Sequence, residues 1–69
     1  MQTDRGTVVT FDEPRGYGTV STADGRSYWF HCTQIADGSR TIAPGTEVSF
    51  EVVAGRRGRW EAVRLTPIR

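Results

Sequence analysis

The chain has one cysteine, no lysine, no asparagine and no long apolar run. A single thiol, Cys32, excludes an internal disulfide and suits a reducing cytoplasm, the compartment expected for this chain. One histidine and one cysteine cannot supply a four-ligand structural zinc site. No apolar stretch approaches the roughly 20 residues of a membrane span, and no charged start, apolar middle and cleavage site marks a secretory signal. Net charge is +1, so charge by itself argues neither for nor against a polyanionic partner. Helical periodicity is missing too: apolar residues nowhere recur at i, i+3, i+4, i+7 over about eleven residues, so no real helix is expected. Without a helix there is no glycine-rich phosphate loop leading into one. His31 and Cys32 are neighbours, and on a strand they point apart, which disfavours a nucleophile–base pair. The 69 residues read as one domain, 1–69. A domain this small buries only about 60% of its unfolded surface, leaving little room for an enclosed catalytic site. The expectation is a non-enzyme with no cofactor, no metal and no membrane partner.

What is present is a series of short β-branched and aromatic runs. "RGTVVTFDE" (5–13), "YGTVSTA" (17–23), "RSYWFHCT" (26–33), "EVSFEVVA" (47–54) and "RWEAVRL" (59–65) each read as a strand. Asp24-Gly25 marks a tight hairpin between the second and third. "QIADGSRTIAPGT" (34–46) is rich in Gly, Pro, Asp and Ser and reads as a long loop, and "GRRG" (55–58) as a turn. Five short strands with one long excursion suggest a small all-β antiparallel barrel over about residues 4–66, since closure removes exposed edges.

Alternation sorts the faces, because successive strand residues point to opposite sides. Ser27, Trp29 and His31 share one side of the third strand, with Tyr28, Phe30 and Cys32 on the other. Arg15, Tyr17 and Thr19 share a side of the second. Pairing through the Asp-Gly turn would join Arg15, Tyr17, Trp29 and His31 into one face. Val8, Val20, Tyr28, Phe30, Val48, Phe50 and Val63 would fill the barrel. Aromatics interleaved with cations outside a filled barrel suit single-stranded nucleic acid: bases stack at about 1–3 kcal/mol each, while arginine meets phosphate.

Three blocks carry a family resemblance over nearly the whole chain: "GTVVTFDEPRGYGTV" (6–20), "SYWFHCTQI" (27–35) and "PGTEVSFEVVAGRRG" (44–58). In residue spacing they resemble the cold-shock domain, a five-stranded OB-fold barrel. The resemblance implies binding of single-stranded RNA or DNA with low sequence selectivity, and a role as RNA chaperone or regulator of transcription or translation. It places Arg15 at the family's basic residue, Tyr17 at its first stacking aromatic, and Trp29 and His31 at the aromatic and histidine of the third strand. Phe11 matches the aromatic ending the first strand, Ser27 stands where the family has Asp, and Arg57 matches a basic position in the last turn. Departures weaken the stacking face. The family's Lys-Trp pair is Val9-Thr10 here, its second aromatic is Thr19, the aromatic after the histidine is Cys32, and the loop aromatic is missing.

Each position also has a plain structural reading. Phe11 is as ready to pack as to stack, Arg15 and Arg57 to be solvated as to meet phosphate. Trp60, without a family counterpart, either caps the barrel or adds a stacking platform. Cys32 reads as a small buried hydrophobe. The second function class is accordingly a barrel that has given up nucleic acid and binds a protein partner through Trp29 and Trp60. Retention of Arg15, Arg56, Arg57 and Arg59 beside the lost aromatics favours a weakened nucleic-acid surface.

Overall fold

Each apolar run becomes a strand in the computed structural model, which describes residues 2–55 and 58–68. The strands are β1 (Gln2–Asp12), β2 (Tyr17–Ser21), β3 (Ser27–His31), β4 (Glu47–Ala54) and β5 (Trp60–Pro67). They close into a barrel in the order β1-β2-β3-β5-β4. Adjacent strands pair antiparallel except β3 and β5, which meet parallel at Trp29 and Glu61. Parity requires this, because a ring with an odd number of strands cannot alternate direction all the way round. A 3-10 turn, Cys32–Gln34, follows β3 directly.

The β2–β3 hairpin closes through three residues rather than two. The Thr22 N–H donates to the Arg26 carbonyl at 2.8 Å, and only Gly25 takes positive φ, at 89°. This is a turn followed by a left-handed residue, the usual build of a three-residue hairpin loop. Asp24 sits in it with its carboxyl below the ordinary range, held there by the Thr22 hydroxyl first.

Val8, Val20, Tyr28, Phe30, Val48 and Phe50 are buried as alternation predicts, joined by Ile35, Val52, Ala62 and Leu65. Val63 is a correction: it is not among the buried residues, and its neighbours Ala62 and Leu65 are, both at 0% exposure. Strict alternation through Val63 would have buried Glu61 with it. Instead β5 carries an extra residue between the pairs Glu51↔Val63 and Ser49↔Thr66, and Arg64 takes φ 56°. This bulge turns Leu65 inward and leaves Arg64 exposed.

A second bulge sits in β1, where the register shifts between Val8↔Val20 and Thr10↔Thr19. Val9 is 52% exposed there. Past the bulge, Phe11 falls on the side of Val8 rather than the side of Val9. Its ring stacks on Phe30, with centroids 5.9 Å apart and planes 7° off parallel. Ile35 is expected in the long loop, yet a parallel bridge to Leu65 holds it in the core at 3% exposure.

Candidate nucleic-acid interface

The outer side of β2 and β3 collects a ladder of aromatic rings. Direct pairing sets Tyr17 opposite His31 and Thr19 opposite Trp29. The Tyr17 and Trp29 rings lie 5.7 Å apart, tilted by 33°, and Trp29 and His31 lie 6.2 Å apart, tilted by 43°. All three are half-buried, so each packs one side on the sheet and leaves the other to solvent. Ser27 is exposed at the start of β3 on the same side, paired with Ser21.

Arg15 stands in the turn before β2 rather than on the strand, but its head reaches the ladder. It donates from Nη1 to the Tyr17 hydroxyl at 3.4 Å, and Nε lies 3.8 Å from the Asp12 carboxylate. Tyr17 first, and Asp12 after it, push this guanidinium above its ordinary pKa. The geometry aims the side chain, while access to solvent on both partners keeps the ion pair itself weak.

His31 caps the 3-10 turn. Its Nδ1 accepts the Thr33 backbone N–H at 3.2 Å and lies 2.9 Å from the Thr33 hydroxyl. A nitrogen that accepts cannot carry the proton, so in the neutral ring the hydrogen sits on Nε2, free to donate to a ligand oxygen. The expected separation of His31 and Cys32 needs correcting: Cys32 Sγ lies 3.9 Å from His31 Nδ1. The strand ends at His31, so alternation no longer applies to the next residue. Thr33 already occupies that nitrogen at shorter range, and Cys32 packs against the core.

Arg59 belongs to the site although sequence reasoning assigned it no contact. Its guanidinium carbon lies 5.6 Å from the centroid of the Trp29 ring, within cation–π range. Glu61 is the second addition, set beside Trp29 by the parallel β3–β5 pairing. Trp29, His31, Gly55 and Glu61 line one open groove. Glu61 lies on β5 and Arg59 just before it, both remote in sequence from β3, and local pattern carries no sign of that pairing. Phe11 goes the other way, packing on Phe30 instead of joining the ladder. Arg57, like Arg56, lies outside the described residues. No cluster of metal-ligating side chains occurs among the described residues, and none of their helices is long and apolar enough to cross a membrane.

Thr19 occupies the outer side, its hydroxyl 3.0 Å from that of Thr10 across the β1–β2 pair. Two small polar groups therefore lie where further aromatics could extend the ladder. Thr19→Phe should place a ring opposite Trp29 and tighten binding of a short oligopyrimidine by about 1 kcal/mol or more. Unchanged affinity with an intact fold would show that this part of the sheet does not meet ligand.

Known proteins are similar to this chain over most of its length, in sequence and in structure. Residues 4–68 match the family described as the 'Cold-shock' DNA-binding domain. Cold shock protein CspB of Bacillus caldolyticus is 42% identical over 55 residues, 78% of this chain and 83% of that protein. The major cold shock protein of Streptococcus pyogenes is 35% identical over 65 residues, 93% of this chain and 96% of the relative. The drosophila Unr CSD456 structure superposes with a TM-score of 0.80 at 28% identity, covering 99% of this chain and 27% of that longer one. A family match across almost every residue, on a closed five-stranded OB-fold barrel, makes this chain a member of the cold-shock domain family.

Proposed function

We propose that this chain binds single-stranded RNA or DNA with low sequence selectivity through the β2–β3 face, in the cytoplasm, as an RNA chaperone or a regulator of transcription or translation. The observation that carries the reading is the Tyr17–Trp29–His31 ladder, half open to solvent and flanked by Arg15 and Arg59. Bases stack on Tyr17 and Trp29, and His31 Nε2–H donates to a base or phosphate oxygen. Arg59 now covers Trp29; a base stacking on that side takes its place, and the guanidinium moves onto phosphate. Stacking without a fixed set of base-edge contacts tolerates any sequence. Asp12 beside Arg15 and Glu61 beside Trp29 offset part of the positive charge, and Thr10 and Thr19 offer no ring. Affinity is therefore lower than a full aromatic face would supply.

The test is a titration with a short oligopyrimidine, read by tryptophan fluorescence across a salt series. Each phosphate neutralised on a single strand contributes about −0.7 to the slope of log affinity against log salt. Two to four arginine contacts should give a slope of roughly −1.5 to −3. A slope near zero, or no quenching, would put the protein-interaction module ahead.

A further inference from the structure

Trp60 opens β5 and is 59% exposed, although it lies beside core residues. With Tyr28 and Val52 it lines a shallow groove of about 500 Å³ at the end of the barrel, rimmed by Arg26 and Ser27. Tyr28 and Val52 are each 8% exposed, so they form a closed floor and the indole is the one large apolar surface offered there. That surface is too small for a protein partner. A fully buried aromatic supplies roughly 150–250 Å², whereas a stable interface takes about 800 Å² from each side.

The rim is polar and carries a cation. Arg26 is held by Asp24, with Nε 3.3 Å from the carboxylate, and the Tyr28 hydroxyl first and Asp24 second raise its pKa. A flat apolar platform, a hydroxyl and a guanidinium are the parts that receive one base with its phosphate. The groove is also continuous with the Trp29 face through two chain segments. Ser27 lies two residues before Trp29 on the same side of β3 and lines the groove as well. Arg59, over Trp29, immediately precedes Trp60.

Resting on the reading of the β2–β3 face given above, we propose that Trp60 with Arg26 and Ser27 forms an additional subsite for one nucleobase of the same single strand. The strand runs along the Trp29 ladder and turns over the barrel end, where its next base lies on the Trp60 indole.

The variant Trp29→Phe leaves Trp60 as the sole tryptophan, since the chain has two, and keeps an aromatic at position 29. Oligothymidylates of increasing length are titrated into it, with affinity followed separately by anisotropy of a labelled strand. Short strands should bind with little change in Trp60 emission, and longer ones should quench it. In the otherwise native chain, Trp60→Ala should weaken the longer strands about tenfold, as loss of one stacked base implies, and spare the short ones. Strands that bind by anisotropy at every length without touching Trp60 emission would overturn the subsite and leave the β2–β3 face standing. Emission that shifts with protein concentration alone would give the groove to a second copy of the chain and overturn it too. Absence of any binding by anisotropy would remove both readings.

Discussion

Phe30→Ala unfolds the domain, whereas Trp29→Ala leaves it folded and weakens oligonucleotide binding. The two residues are neighbours on β3, and the pleat sends them to opposite sides. Phe30 is 0% exposed and stacks on Phe11 with planes 7° off parallel. Truncation there leaves a cavity in the middle of the core, at about 3–5 kcal/mol. A domain of this size has on the order of 3–5 kcal/mol in total, so little folded protein should remain. Trp29 is half-buried and touches Tyr17, His31 and the Arg59 guanidinium, all on the outer side. Its loss should weaken binding by about 1–3 kcal/mol, one stacked base. Thermal unfolding and oligonucleotide titration on both variants form the paired measurement. The opposite pattern, with Trp29→Ala unfolded and Phe30→Ala folded, would mean the face and the core have been exchanged.

Gly18→Ala is expected to be nearly as damaging, although it adds one methyl group. Gly18 faces Phe11 across the β1–β2 pair, just past the bulge at Val9. A Cβ there would run into the Thr10 carbonyl oxygen and come within 3.0 Å of both the Phe11 Cα and the Phe30 ring. Two of those obstacles are backbone, so relief requires β1 to move off β2. The cost should reach the upper end for overpacking, about 3 kcal/mol, a fall in Tm on the order of 12–24 °C. Gly25→Ala is the control, because its Cβ would meet nothing within 4 Å and only the positive φ of 89° resists it. That conformation costs a non-glycine residue about 1–2 kcal/mol. Equal Tm values for the two variants would show that β1 does not crowd Gly18.

Alternation within a strand was legible because it is local: a side chain two residues along points the same way whatever the strand packs against. That rule placed Trp29 and His31 opposite Phe30 and put Thr19 on the outer side. It failed wherever an inserted residue broke the period. At Val9 the bulge carried Phe11 onto Phe30, and with the bulge at Arg64 it is Ala62 and Leu65, not Val63, that face inward. It failed again where a strand simply ended, at His31, leaving Cys32 near the imidazole.

The strand content, the hairpin and the ring ladder of one face follow from residue type and spacing alone, because propensity, the pleat and turn chemistry act over a few residues. The inward turn of Ile35 and Leu65, and the arrival of Arg59 and Glu61 beside Trp29, depend on β5 meeting β3, some thirty residues away in sequence. Such contacts arise only when the whole chain minimises its exposed edges and apolar surface at once. The tertiary structure therefore decided which cation and which carboxylate flank the Tyr17–Trp29–His31 ladder. Sequence by itself determined that the face exists.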